Sequence, residues 1–263
     1  MLKKLNRLWR LIGTVIGYSF FGLGGVTLPW LAWPFIVLWP GTQTQKQRRA
    51  RCVIQYIFKF FIHLMRTFRL LHWNIQDLQR LQRPGILIQA NHPTLIDVVF
   101  LIAFTPNANC IIKSALLYNP CMRGFLRLAG FIPNDSQTVI LQAEASLNSG
   151  SALIIFPEGT RTGLNGKLTF QRGAANIAIR TQTNITPVTI KCIPATLSKQ
   201  HKWYYIPPEK VLISIHVHAD IPIEPYTSVV ATLAARRLTR DLEAFFTQAL
   251  IQHTTTSTLK MSR

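Results

Sequence analysis

The sequence predicts an α/β fold, a largely parallel sheet flanked by helices, preceded by an N-terminal membrane-associated helical segment. Three observations predict it. From residue 83 onward, short β-branched apolar runs alternate with stretches of helical periodicity, the pattern of strands joined by crossover helices. Ahead of that, no charged residue occurs between Arg10 and Lys46. The chain is 48% hydrophobic and only 15% charged, which describes a folded chain with a sizeable core rather than disorder. The pattern divides the chain into a membrane-embedded helical unit at 1–75, a domain at 76–250 and a disordered tail at 251–263.

The front end comes first. The run "LIGTVIGYSFFGLGGVTLPWLAWPFIVLW" (11–39) would measure roughly 43 Å as one helix, more than a hydrocarbon core of about 30 Å. Gly24-Gly25, Pro29, Pro34 and Pro40 argue for a break. Lys3, Lys4, Arg7 and Arg10 precede the run, and Lys46, Arg48, Arg49 and Arg51 follow it. Equal positive flanks place both ends on the cytoplasmic side, which a hairpin dipping into one leaflet satisfies and a single span does not. The basic start would fit a cleaved signal peptide, but the length of the run and the lack of a small-x-small site argue against one. Residues 52–71 then read as a basic amphipathic helix carrying Lys59, Arg66 and Arg69.

In the body, "RPG" (83–85) is a turn and "ILIQA" (86–90) a strand. A helix near 95–104, a strand at 110–113 and a helix through about 127 follow. "GFIP" (130–133) is a short strand, and Ser136 is placed to cap a helix to about 148. "ALIIF" (152–156) is a buried strand, then a helix covers 171–182, strands cover 187–192 and 211–219, and a last helix covers 228–250.

Composition narrows the chemistry. With 29 basic and 10 acidic residues the net charge is +19, which favours an anionic lipid surface or an anionic substrate. No zinc finger, RNA-recognition signature or basic zipper supports nucleic acid as a partner. Cys52, Cys110, Cys121 and Cys192 are scattered without C-x-x-C, which fits reduced thiols facing the cytosol. Neither a G-x-S-x-G nor an H-E-x-x-H occurs. His216 and His218 share a strand face, but no third ligand accompanies them, so no metal is expected.

Two stretches carry the site. "ANHPTLID" (90–97) follows a strand, where ligands of open α/β sheets sit. Asp97, about a turn inside the next helix, can reach back to His92, and a carboxylate that orients an imidazole is a general-base arrangement. A His-x4-acid pair alone arises by chance in about one such chain in four. The second stretch, "FPEGTRTG" (156–163), also follows a strand. Pro157 and Gly159 shape a tight loop, and Glu158 and Arg161 project from it. Arg161 suits a phosphate, while a structural Glu158–Arg161 pair is the equal alternative.

Together these stretches resemble the glycerolipid (lysophospholipid, 1-acylglycerol-3-phosphate) acyltransferase family over about residues 75–225. Asn91-His92-x-x-x-x-Asp97 and Phe156-Pro157-Glu158-Gly159-Thr160-Arg161-Thr162 stand in the family's order. "FQRGA" (170–174) and "TPV" (186–188) resemble two further motifs. The resemblance implies a phospholipid-biosynthesis enzyme of the bacterial inner (cytoplasmic) membrane with its site on the cytoplasmic face. His92 would be the base and Asp97 its orienting partner. Asn91, Glu158, Gly159, Thr160, Arg161, Arg172 and Lys113 would bind substrate. The partners would be membrane lipids, a lyso-glycerolipid acceptor and an acyl thioester on coenzyme A (acyl-CoA) or acyl carrier protein, with no separate cofactor. One departure stands out: Asn134 lies near where the family often has an arginine that contacts the acceptor phosphate. Lost charge-assisted contacts cost about 1.5–3 kcal/mol, so the acceptor lacks a phosphate, or Lys113, Arg123, Arg127 or Arg172 compensates. A non-phosphorylated or specialised acceptor, such as a polyene lipid, is the second reading. A non-catalytic membrane-associated binding protein is the third, and the intact His92–Asp97 spacing weighs against it.

Overall fold

The computed structural model describes residues 2–163, 166–197, 207, 209–228 and 230–261, with only the backbone course for 2–7, 26, 29, 120, 121 and 253–261. Helix α1 (Leu2–Leu38) and helix α2 (Gln43–Thr67) come first. Strand β1 (Leu71–Gln76) and strand β2 (Leu87–Ala90) lead to α3 (Asp97–Phe104), β3 (Ala108–Ile112), α4 (Pro120–Ala129) and β4 (Ile132–Pro133). Helix α5 (Val139–Asn148), β5 (Ala152–Ile155), α6 (Arg172–Arg180), β6 (Ile185–Ile193), β7 (Val211–Val217) and α7 (Ala231–Met261) complete the order.

The seven strands form one sheet in the order β1-β7-β6-β2-β5-β3-β4. All pairs are parallel except β6–β7, so the sheet is mixed but mostly parallel, as expected. Alternation of side chains divides its two faces. Ile88, Ala90, Ala152 and Ile154 face one core, which α1 to α4 cover. Leu87, Leu153 and Ile155 face the other, under α5, α6 and α7. With both faces covered, β2 and β5 are buried at every position; β5 is apolar throughout, and the one polar residue of β2, Gln89, donates its amide to the Ala174 carbonyl. Because β2, β5, β3 and β4 run parallel, their carboxyl ends share one edge.

The front end differs from expectation. Residues 11–39 do not fold back on themselves; α1 is one helix through Pro29 and Pro34. A proline removes one backbone donor and bends a helix, and here α2 packs lengthwise against α1 and supports it. Phe21 lies 5.9 Å from Phe58 and 4.8 Å from Phe61, and a Cβ on Gly17 would meet Met65 Sδ at 2.5 Å. The reversal falls instead at Pro40-Gly41, where Gly41 has φ +151°. Thr42 and Gln45 close a capping box on α2, and Arg49 donates to the Trp39 and Pro40 carbonyls that end α1. The hairpin is therefore α1 with α2. Leu8–Leu38 is long and apolar enough to cross a membrane, by length and composition.

Two boundaries also move. The helix expected at 52–71 starts at Gln43, and the sheet already begins at Leu71, inside the segment assigned to the membrane unit. The tail expected to be disordered from 251 continues α7 to Met261; residues 262 and 263 lie outside the described ones. No Gly or Pro interrupts 231–261, and once Leu238, Leu242 and Phe246 anchor the helix, propagation adds a bond per residue.

Two buried cations join the hairpin to the sheet domain: Arg10 of α1 donates to the Glu209 carbonyl ahead of β7, and Arg51 makes the larger set of bonds. Arg51 of α2 donates from Nε to the Ala129 carbonyl at 2.7 Å and from Nη1 to Asn107 Oδ1 at 3.2 Å and to Ser151 Oγ. Its Nη2 donates to Gln47 Oε1. Burial lowers the guanidinium pKa to about 10, which leaves it charged at neutral pH.

Candidate active site

The site is built on two strand ends. The chain leaves β2 at Asn91, whose amide donates to the Ile190 carbonyl at 2.9 Å and accepts from Ile190 N–H at 2.7 Å. This pair of bonds to β6 fixes the backbone just before His92. Asn91 is buried and engaged, so it acts here on the backbone rather than on a ligand.

His92 and Asp97 meet as the spacing predicts. Nδ1 lies 3.0 Å from Asp97 Oδ2, with the His92 side chain 17% exposed and Asp97 fully buried. Thr94 adds two donors: its N–H to Oδ2 at 2.6 Å and its hydroxyl to Oδ1 at 2.5 Å. Burial pushes the Asp97 carboxyl above its ordinary range, and the bonds from His92 and Thr94 oppose that shift. Three donors converging on two oxygens fit the carboxylate. The proton on Nδ1 then belongs in the Asp97 bond, and Nε2 is left as the ring's acceptor nitrogen. Phe156 stacks on the imidazole with centroids 4.3 Å apart and holds its plane.

The loop after β5 clamps the same backbone. Glu158, 7% exposed, accepts at Oε1 from His92 N–H at 2.9 Å and from the Thr162 hydroxyl at 2.7 Å. Thr162 N–H returns a bond to the His92 carbonyl at 2.8 Å. Gly159 has φ +63°, a conformation that favours glycine. Arg161 donates to the Leu197 carbonyl at 2.8 Å, and that carbonyl also accepts from Leu95 N–H. Thr160 is exposed on the loop, Arg172 is exposed at the start of α6, and Lys113 is exposed after β3. Asn134, after β4, accepts from the Ser114 N–H and hydroxyl at 3.3 and 3.1 Å, which places it beside Lys113 on the same edge.

Sequence reasoning did not assign Thr94, Phe156 or Thr162 a part in the site. A short hydroxyl side chain three residues before a carboxylate is a local capping signal that could have found Thr94. The other two depend on β2 and β5 lying side by side. Burial raises the thiols of Cys110 and Cys192 to about 12, so neither is a ready thiolate. His216 lies 3.4 Å from Asp77 and 4.1 Å, ring to ring, from His218, which bonds Thr189. Among the described residues, no cluster of three or more potential ligands is arranged to hold a metal.

Glu158 permits a test. Burial raises its carboxyl above the ordinary 4.5, against the opposing bonds from Thr162 and His92. The native state therefore binds this proton more tightly than the unfolded chain. The charged form weighs against the fold increasingly as pH rises from about 4.3 through the raised value. Glu158→Gln keeps an acceptor oxygen for both donors without the buried charge. Thermal unfolding is expected to show the variant more stable than the native chain at pH 8 and equal to it near pH 4. A less stable variant at pH 8 would mean the carboxylate is net favourable.

An apolar cavity of about 270 Å³ lies between the hairpin and the sheet domain. Phe20, Phe21, Gly22 and Gly25 of α1, Ile54, Ile57, Phe58 and Phe61 of α2, and Asn119, Met122 and Phe125 of the α4 region line it, with Phe131. Helix α4 starts at the catalytic edge and runs away from it, so the Asn119 end is the one nearer the site.

An imidazole held by a buried carboxylate at the carboxyl ends of parallel strands is an arrangement able to accept a proton from a hydroxyl. Comparison with known proteins shows what the chain is similar to. Residues 72–191 match the model of the Acyltransferase family, and both site loops fall inside the match. A 1-acyl-sn-glycerol-3-phosphate acyltransferase of Pseudomonas aeruginosa is 26% identical over 147 residues, 53% of this chain and 57% of that protein. The Helicobacter pylori protein of the same name is 31% identical over 132 residues, 47% of this chain and 55% of that one. The chain thus matches just over half the length of these curated relatives. The crystal structure of the 1-acyl-sn-glycerophosphate (LPA) acyltransferase PlsC from Thermotoga maritima superposes with a TM-score of 0.67 at 17% identity, over 91% of this chain and 97% of that one. This establishes the shared fold.

Proposed function

We propose that this chain is a membrane-associated O-acyltransferase that moves an acyl group from a thioester, on coenzyme A or acyl carrier protein, to the hydroxyl of a lyso-glycerolipid such as 1-acylglycerol-3-phosphate. The observation that carries the reading is the His92–Asp97 pair at 3.0 Å, with Nε2 bonded to nothing among the described residues. Nε2 takes the acceptor hydroxyl proton as its oxygen attacks the thioester carbonyl. The tetrahedral adduct collapses, the carbon–sulfur bond breaks, and the imidazolium returns the proton to the departing thiolate. Asp97 stabilises the imidazolium between the two steps. The reaction needs no metal and no acyl-enzyme. The names of the relatives and the uncharged stretch of α1 after Arg10 support the lipid acceptor and the bilayer location, at a bacterial inner membrane with the site on its cytoplasmic face.

Lys113 and Arg161 supply positive charge along the strand ends, with Arg172 near the second loop, as an acceptor phosphate requires. Asn134 favours the second reading, a non-phosphorylated acceptor, because it brings an amide to this edge instead of a cation. Labelled acyl thioester presented with lysophosphatidic acid or a neutral lyso-lipid separates the two. Formation of phosphatidic acid by the native chain supports the first. Transfer to the neutral lyso-lipid alone supports the second. Transfer to neither defeats the proposal.

The cavity is the candidate slot for the transferred acyl chain. An apolar cavity of about 150 Å³ holds a benzene ring, so this one suits on the order of ten carbons. A Cβ added at Gly22 or Gly25 meets nothing within 4 Å, so side chains there would grow into open space. Gly25→Leu is expected to lower transfer of a sixteen-carbon chain about tenfold while leaving an eight-carbon chain within twofold. Competition between the two thioesters in one reaction measures the ratio. Equal loss for both lengths would place the chain elsewhere.

A further inference from the structure

The catalytic edge carries apolar side chains that nothing among the described residues covers. Leu116 and Tyr118, in the 3-10 turn Ser114–Tyr118, are 39% and 83% exposed, and Met122 in α4 is 40% exposed. Leu95, between His92 and Asp97, is 50% exposed. The turn follows the carboxyl end of β3, so the group lies on the edge that holds His92. Scattered exposed apolar residues are ordinary, whereas a cluster at one edge marks an interaction surface.

Two observations identify what meets it. The patch continues onto the outer face of α1. Met122 shares the cavity wall with Gly22 and Gly25, and Leu23 between those glycines points outward. Beside Met122, Arg123 and Arg127 are exposed one turn apart on α4, in a chain of net charge +19. A tyrosine and aliphatic side chains next to arginines form the composition of a segment seated in the headgroup region of an anionic bilayer. A protein partner would leave the continuity with an uncharged 30-residue-scale helix face unexplained.

We infer that the turn Ser114–Tyr118 and the first turn of α4 form a second membrane contact, distinct from the α1–α2 hairpin, that lowers the catalytic edge onto an anionic leaflet. The inference rests on the acyl-transfer reading for its purpose: a lipid acceptor then presents its hydroxyl to His92 without leaving the bilayer surface. The hairpin keeps the protein on the membrane, and this contact sets the tilt of the sheet domain.

The test uses the full chain in vesicles of phosphatidylcholine and phosphatidylglycerol. A nitroxide is placed at Tyr118→Cys, with Asn148→Cys at the opposite edge of the sheet as reference, each in a Cys52→Ser, Cys121→Ser background. At 118, collisions with oxygen are expected to rise and collisions with a water-soluble nickel chelate to fall at least threefold on vesicles relative to detergent. At 148 neither should change. If 118 behaves as 148 does, the contact does not exist, whatever the enzyme does. In parallel, Leu116→Ser/Tyr118→Ser, which leaves the cavity wall untouched, is expected to lose at least tenfold in transfer to a long-chain acceptor within the bilayer. It should stay within twofold of native on a short-chain, water-soluble lyso-lipid. Equal rates on both acceptors would overturn the inference, and so would equal losses. Absence of transfer by the native chain to either acceptor is failure of the acyl-transfer reading, and the nitroxide then decides the membrane contact alone.

Discussion

His92→Ala is expected to reduce the turnover number for acyl transfer by about a thousandfold or more while leaving the fold intact. A positioned base contributes roughly 10²–10⁴ in rate, and no second imidazole is available at this edge among the described residues. Its removal vacates a partly exposed position and leaves Asp97 with both Thr94 donors, so the scaffold is not asked to bury an unpaired carboxylate. Asp97→Asn should lose nearly as much for a different reason. An amide can present N–H to Nδ1 and select the tautomer with the proton on Nε2, which removes the base without moving it; a loss of about 10⁴ is the scale for that change. Single-turnover kinetics with circular dichroism on both variants checks this. An Asp97→Asn variant within tenfold of native would mean that Asp97 serves the loop and not the imidazole.

The largest effect on stability is expected at Arg51→Met. Methionine fills much of the same volume but leaves the Ala129 carbonyl, Asn107 and Ser151 without the donor that joins them to α2. Relief from burying a charge offsets part of the cost, because a buried cation without a carboxylate is expensive. Unsatisfied buried acceptors cost about 1–3 kcal/mol each, so a net loss of about 3 kcal/mol is expected. For a chain of this size that lowers the melting temperature by roughly 6–12 °C. Arg51→Lys keeps the charge but has one nitrogen where three elements must be reached, and it should recover less than half. A thermal melt of the detergent-solubilised protein measures both. If Arg51→Met melts at or above the native temperature, desolvation of the cation outweighs its bonds, and Arg51 is not what holds the hairpin to the sheet.

Much of this architecture is legible in the sequence. Strands β2 to β7 announce themselves as β-branched runs bounded by Gly, Pro and polar residues, since strands buried on both faces tolerate little else. Strand β1 was not legible: "LHWNIQ" continues the apolar periodicity of α2, and only its pairing with β7 makes it a strand. The prolines at 29 and 34 suggested a break because local rules count the lost donor, whereas support from α2 along the length of α1 is a tertiary fact. The helical course of α7 past residue 250 is similar, a stretch of weak propensity carried by a packed helix ahead of it.

At the site, the sequence by itself determined the reacting pair. Four residues separate His92 from Asp97, and the turn they form ahead of α3, which starts at Asp97, brings the two side chains together with no help from distant parts of the chain. The tertiary structure alone decided what holds that pair in place. Asn91 is pinned by Ile190, the His92 peptide is gripped by Glu158 and Thr162, and the imidazole is backed by Phe156. Those partners lie 64 to 99 residues away. They arrive only because β2 sits between β5 and β6, and strand order is set by how a whole sheet buries its two faces, which no local stretch encodes.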